Sequence, residues 1–92
     1  MYEISVVGLG FVGLPLLISI SNKNKLFKKI VGVEANNTNG KKKIKDIKSN
    51  INNNLFLDTK LNKIFSKNKE KITFSTNYNE ASNSDFIFFC FP

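Results

Sequence analysis

The fold is decided by the stretch GLGFVG at residues 8–13, which has the spacing G-x-G-x-x-G. The residues before it, 2–7, are mostly apolar and β-branched, as in a short strand buried on both faces of a parallel sheet. After it, apolar residues recur at helical spacing from residue 11 to about residue 22. The spacing alone is weak evidence, but in this context it predicts a tight turn from strand to helix.

Beyond this turn, predicted helices and strands alternate. Pro15 falls within the first turn of the first helix, where its missing N–H costs little. The later elements are a strand at 29–34, an Asn-rich break at 36–40, a helix at 41–51, a third helix around 57–65, a strand at 72–75, a turn or single helical turn at 77–82 and an apolar strand at 85–91. The order β-α-β-α-α-β-(α)-β predicts an α/β fold. We expect the incomplete N-terminal portion of a Rossmann-like doubly wound parallel sheet, in one domain over residues 1–92.

Each glycine of the motif has a separate expected role in binding an anion. Gly8 permits the tight turn, Gly10 lets the backbone approach a phosphate without a Cβ, and Gly13 lets helix and strand pack closely. The backbone N–H groups near Phe11 and Val12 then converge on the anion, aided by the helix dipole. We therefore expect a pyrophosphate to bind here without any cationic side chain.

An acidic residue, Glu34, ends the second predicted strand and stands 24 residues after Gly10. At this position a carboxylate accepts hydrogen bonds from the adenine ribose hydroxyls and repels a 2′-phosphate, so the expected cofactor is NAD rather than NADP. Two alternatives stay open. Glu34 could be a solvated strand-end carboxylate, or the Lys run at 41–43 could accommodate a 2′-phosphate, although such runs are more often solvated faces.

The net charge is +7, and all 14 basic residues are Lys. Without Arg, bidentate binding of bases is not expected, and abundant Asn, Lys, Ile and Phe fit AT-rich codons, so we expect no nucleic-acid partner. The one cysteine, Cys90, lies in an apolar segment of a chain without His. We expect it to be a buried structural thiol rather than a nucleophile, and we expect no metal site.

The apolar stretch at 4–20 is neither a good signal peptide nor a good membrane span. Glu3 stands where a signal peptide has basic residues, and three glycines interrupt the stretch. A membrane span also needs about 20 residues with few helix breakers. We expect no membrane partner, and with a single cysteine we expect a reducing, cytoplasmic location.

Four segments of the chain together resemble one known family. The first is ISVVGLGFVGLPLL at residues 4–17, in which the Leu14-Pro15 extension is more specific than the glycines alone. The others are IVGVE at 30–34, FSTN at 74–77 and FIFFCFP at 86–92, which look like the family's second, third and fourth strands in the right order. This pattern resembles the N-terminal domain of UDP-glucose/GDP-mannose dehydrogenases over essentially the whole chain.

The resemblance implies an NAD-dependent oxidation of the C6 hydroxymethyl group of a nucleotide sugar to a carboxylate. In this family the reaction takes two hydride transfers and passes through a cysteine-bound thiohemiacetal and thioester, and its products feed surface-polysaccharide synthesis. The Leu-Pro form of the signature leans toward UDP-N-acetylhexosamines. The resemblance also places Phe91 and Pro92 at the cofactor and implies a homo-oligomer for the full-length enzyme.

Three departures from the family pattern bear on the site. The family usually has Asp where Glu34 stands, and a basic residue about five positions later, where this chain has Asn39. A Thr that contacts the cofactor follows the family's fourth strand, whereas this sequence ends at Pro92. The catalytic cysteine, its lysine and the substrate domain would all lie further on. We therefore expect no catalytic residue among these 92 and no activity from them alone.

Two other functions remain open from the sequence. One is another NAD(P)-dependent Rossmann dehydrogenase, such as a β-hydroxyacid type, which shares the glycine motif. The other is a non-catalytic nucleotide-binding or basic interaction module. The Phe-rich last strand is expected to form an exposed apolar edge of an open sheet, which favours association unless more chain covers it.

Overall fold

The computed structural model describes residues 1–23, 25–49 and 59–90, which form a parallel sheet with helices. The strands are β1 (Tyr2–Val7), β2 (Phe27–Val33), β3 (Ile72–Ser75) and β4 (Phe86–Phe89), and the helices are α1 (Gly13–Ser21), α2 (Thr38–Ser49) and α3 (Thr59–Asn68). Two short 3-10 turns, Lys69–Lys71 and Tyr78–Ala81, precede β3 and β4. The predicted α/β, Rossmann-like fold is confirmed.

The strand order in the sheet is β3-β2-β1-β4, and every pairing is parallel. The chain moves outward from β1 to β2 and β3, then returns to place β4 on the other side of β1. In this arrangement Ser5 of β1 is level with Val31 of β2 and with Ile87 of β4. The order therefore reverses between β1 and β4, and open α/β sheets bind ligands at the carboxyl ends of strands flanking such a point.

The central strand β1 is buried on both faces, as its sequence predicts. Ile4 and Val6 join the main core, in which Leu17 and Ile18 of α1 and Phe65 of α3 are also buried. On the opposite face, a smaller cluster contains Val7, Val31, Val33 and Ala81. Helices thus cover one face of the sheet, while the short turn before β4 covers part of the other.

Polar contacts fix the start of β4 against β1. The Glu3 N–H donates to the Asp85 carboxylate at 2.7 Å, and the Asp85 N–H donates to the Glu3 carbonyl at 2.8 Å. The hydroxyls of the buried Ser5 and of Ser84 lie 2.6 Å apart. Because a buried hydroxyl without a partner is costly, this contact explains why a polar residue is tolerated in the central strand.

Helix α2 begins earlier than the sequence indicated. Residues 36–40 were predicted to be a break, but α2 begins at Thr38, so the Asn-rich segment contributes its first turn. The Asn37 side chain accepts a hydrogen bond from the Gly40 N–H at 2.8 Å, which is an N-cap interaction. A Cβ at Gly40 would overlap the Ala35 carbonyl oxygen, so only glycine fits this close turn.

Strand β4 lies at an edge of the sheet, as the sequence predicts. Its four residues, Phe86 to Phe89, are each between 38% and 66% exposed, and the Phe86 ring packs edge-on against Tyr2.

Helix α1 begins at Gly13, two residues later than predicted, so Pro15 is its third residue and its missing N–H removes no intrahelical hydrogen bond.

Substitution of Leu17 by alanine tests whether the α1 contact supports this fold. Leu17 is fully buried in the main core, so Leu17→Ala should lower the free energy of unfolding by roughly 2–5 kcal/mol. Leu26 is 55% exposed and provides the matched control, because Leu26→Ala should change this free energy by only about 0.5 kcal/mol. Urea unfolding followed by circular dichroism measures both, and equal losses would contradict the assigned core.

Candidate functional site

The glycine turn after β1 has the geometry that its sequence predicts. Gly8 has a φ of 97°, which non-glycine residues rarely adopt, and its N–H donates to the Val33 carbonyl at 2.9 Å. A Cβ at Gly13 would overlap the Gly8 carbonyl oxygen, so the start of α1 packs directly on the turn. These two glycines are needed to make the turn itself.

Gly10 differs from the other two glycines of the motif. It is exposed, and a Cβ added to it would meet no heavy atom within 4 Å. The absence of a side chain is therefore not required by packing within the described chain. It is explained if another group approaches the backbone at this point, as the pyrophosphate of a dinucleotide does.

The N-terminus of α1 faces the same space. Val12 is its N-cap residue and makes no side-chain capping hydrogen bond, and its first turn contains no acidic residue. The first N–H groups of a helix lack intrahelical partners and carry partial positive charge. Backbone near Phe11 and Val12, whose side chains are exposed, is therefore suited to bind an anion.

A cleft of about 550 Å³ brings the predicted site residues together. It lies at the carboxyl ends of β1, β2 and β4, where the strand order reverses. Its lining residues are Gly8, Leu9, Gly10, Phe11, Val12, Glu34, Lys43, Phe89 and Cys90. Five of the predicted cofactor residues line it, Gly13 lies in the turn beside it, and Phe91 and Pro92 are outside the described residues.

Glu34 follows the last residue of β2 and is held by backbone donors. Its Oε2 accepts a hydrogen bond from the Leu9 N–H at 2.9 Å, and its Oε1 accepts one from the Ala35 N–H at 3.2 Å. Its side chain is only 12% exposed, and the Lys43 ammonium lies 3.3 Å from Oε2. The carboxylate is thus bonded to the glycine turn and is not a freely solvated strand-end group.

The surroundings of Glu34 favour its ionised form. Burial raises the pKa of its carboxyl, but the hydrogen bonds from the Leu9 and Ala35 N–H groups and the charge of Lys43 outweigh this effect. The net result is a pKa below the ordinary value of 4.5. Glu34 is therefore negatively charged at neutral pH, and an ionised carboxylate acts only as a hydrogen-bond acceptor.

Lys43 is a cleft residue that the sequence indicated only as part of a Lys run, for which contact with a 2′-phosphate was left open. Its run at 41–43 was interpreted mainly as a solvated face, yet Lys43 on α2 lines the cleft and pairs with Glu34. Its spacing of nine residues from Glu34 gives no recognisable motif. Only the packing of α2 beside the end of β2 brings the two side chains together.

Cys90 also differs from its prediction. It follows β4, is partly exposed and lines the cleft, so it is not a buried thiol inside a strand. Its N–H donates to the Val7 carbonyl at 2.8 Å, which extends the pairing of the β4 segment with β1. In the described ranges, no three His, Cys, Asp or Glu residues are grouped as they would be to hold a metal ion.

Comparison with known proteins identifies the family. The model of the UDP-glucose/GDP-mannose dehydrogenase family NAD binding domain matches residues 2–92. The chain belongs to this family. The cofactor is therefore NAD, and the open Gly10, the N-terminus of α1 without a side-chain cap and the ionised Glu34 fit that group.

Protein CapL of Staphylococcus aureus is 33% identical to this chain over 91 residues. That alignment covers 98% of this dehydrogenase chain but only 18% of CapL. No solved structure was found to match the chain. Within the part of the chain that the structure describes, no helix is long and apolar enough to cross a membrane.

Glu34 should make stability depend on acid pH. Because its pKa is lowered by folding, its stabilising contribution is complete above the ordinary pKa of 4.5 and is lost as the pH falls through the folded-state pKa. Urea unfolding of the wild type and of Glu34→Gln between about pH 7 and about pH 3 should therefore show a difference that shrinks at low pH. Glu70→Gln controls for loss of an exposed acidic side chain, and a Glu34→Gln difference that is constant with pH would refute this prediction.

Proposed function

We propose that this chain is the NAD-binding part of a nucleotide-sugar 6-dehydrogenase, which oxidises the sugar hydroxymethyl group to a carboxylate. Family membership supports the NAD-dependent dehydrogenase class. The observation that carries the proposal is the cleft at the point where the strand order reverses, which both Gly10 and Glu34 line. The family match also favours this function over a β-hydroxyacid dehydrogenase or a basic interaction module.

In this proposal the backbone of the glycine turn binds the pyrophosphate. Gly8 and Gly13 form the turn, Gly10 leaves room for the phosphates, and the N–H groups at Phe11 and Val12 donate to them. Glu34 accepts hydrogen bonds from the adenine ribose and so orients the dinucleotide along the cleft. When bound, NAD accepts hydride from the sugar. Phe91 and Pro92 stay in the proposed site on the family resemblance alone.

The oxidation itself would be carried out by residues outside this chain. The chain spans about a fifth of the length of CapL, so the proposed sugar site and catalytic cysteine belong to another part of such an enzyme. The 92 residues alone would then bind NAD without oxidising a sugar. The proposal also includes a UDP-N-acetylhexosamine as the substrate and a homo-oligomeric full-length enzyme. It further includes a cytoplasmic location, which is in keeping with the single cysteine.

Gly10→Ala separates cofactor binding from folding. Since a Cβ at Gly10 meets no neighbour, this variant should keep its free energy of unfolding within about 0.5 kcal/mol of the wild type. It should nevertheless bind NAD about tenfold or more weakly, a loss of roughly 1.4 kcal/mol, because the Cβ projects toward the pyrophosphate. Isothermal titration calorimetry measures the affinity.

Gly13→Ala is the matched control for that experiment. Its Cβ would overlap the Gly8 carbonyl oxygen, so it should lose stability as well as binding. Undiminished NAD affinity in Gly10→Ala would remove the glycine turn from the proposed binding site. It would leave the fold assignment unaffected.

Glu34→Ala tests the proposed ribose contact. Loss of a charged hydrogen-bond acceptor should weaken NAD binding by roughly tenfold, and the preference for NAD over NADP should fall because the repulsion of a 2′-phosphate is removed. The control is Glu80→Ala. The Glu80 carboxylate lies 3.5 Å from the Lys29 ammonium, and neither residue lines the cleft. An unchanged preference in Glu34→Ala would exclude Glu34 from cofactor selection.

A further inference from the structure

We propose that Lys43 is a second cofactor-specificity residue, which offsets the charge of Glu34 and weakens the discrimination of this site against a ribose 2′-phosphate. This inference rests on the proposed function, because it concerns the adenosine end of the same cleft. Glu34 alone would repel a 2′-phosphate. With an ammonium beside it, the same position presents both an anion and a cation to the ribose.

The position of Lys43 supports a contact with the cofactor. Its Nζ lies 3.3 Å from Oε2 of Glu34, and its side chain lines the cleft together with the glycine turn. It lies on α2 one helical turn after Asn39, and both residues line a recess that adjoins the cleft. The Lys43 side chain is 48% exposed, against 12% for Glu34, so its ammonium is free to shift toward a ligand while the carboxylate is held.

The hydrogen bonds of Glu34 leave little of its acceptor capacity for a ribose diol. A carboxylate has about four acceptor positions. Oε2 already accepts from the Leu9 N–H and faces Lys43, and Oε1 accepts from the Ala35 N–H. About one position then remains for the two ribose hydroxyls. A second ribose oxygen needs another partner, and the Lys43 ammonium is a donor at the right place.

The surface beside Lys43 has room for a larger substituent at the 2′ position. A recess of about 380 Å³ adjoins the cleft and shares Leu9 and Lys43 with it. Its other lining residues are Leu14, Asn39, Lys42, Asp46 and Ile47. A phosphate entering the recess would meet Lys42, Lys43 and the carboxylate of Asp46, with the Glu34 carboxylate on the other side of Lys43. Phosphate pairs well with ammonium groups, and the pair is worth more when partly desolvated.

Lys43→Met tests this role, since it removes the ammonium and keeps an unbranched apolar side chain. The matched control is Lys45→Met on the same helix, because residues two apart point to opposite sides of a helix. Affinities of both variants and the wild-type 92-residue chain for NAD and for NADP are measured by isothermal titration calorimetry. In Lys43→Met the Kd for NADP should rise roughly three- to tenfold while that for NAD changes less than about twofold. Lys45→Met should alter the ratio of the two affinities little.

The outcomes separate this inference from the proposed function. If NAD still binds but Lys43→Met changes both affinities equally, or neither, Lys43 only connects α2 to Glu34 and does not contact the cofactor. The inference is then overturned, while the proposed function stands. If the wild-type chain binds neither dinucleotide, the proposed function fails and the inference fails with it. Should Lys43→Met unfold, Lys43→Gln decides instead, because it removes the charge but keeps a polar side chain. It must also raise the Kd for NADP more than that for NAD, and an unchanged ratio of affinities overturns the inference.

Discussion

The hydrogen bond from the Leu9 N–H to the Glu34 carboxylate is the interaction on which the site depends. It joins the glycine turn after β1 to the end of β2, and these are the two places that a dinucleotide would contact. The neighbouring Gly8 N–H donates to the Val33 carbonyl and makes the same connection through backbone alone. These two hydrogen bonds would therefore fix the separation of the proposed pyrophosphate and ribose positions before a ligand binds, which would lower the entropy cost of binding.

The parts of the fold that the sequence predicted are those governed by local rules. A run of β-branched residues, a glycine that must adopt positive φ and a helical apolar pattern all act within about ten residues. The turn at Gly8, the buried strand before it and the early Pro15 were predictable for this reason. The exposed edge at β4 was also expected, because its Phe residues are evident in the sequence and it is the last predicted strand of an open sheet, whereas the strand order itself was not predicted.

The parts that the sequence did not predict depend on contacts between distant segments. The start of α2 was missed because Asn residues usually favour turns, whereas here Asn37 caps the helix and Gly40 fits against Ala35. The ion pair of Lys43 with Glu34 depends on how α2 packs beside β2, which no spacing rule gives. Cys90 was expected to be buried because its neighbours are apolar, but it lies past the last residue of β4 and lines the cleft.

The proposed site does not require an Arg to bind a diphosphate. In that site, backbone N–H groups and a helix dipole would supply the positive potential at the pyrophosphate, so a guanidinium group is not needed there. At the proposed ribose position, the largely buried Glu34 carboxylate and the more exposed Lys43 ammonium lie side by side. Lys suits this second place better than Arg, since a compact charge on a flexible stem can leave Glu34 for a ligand without breaking a bidentate pair. The choice between NAD and NADP would then be set by the balance of these two charges rather than by Glu34 alone.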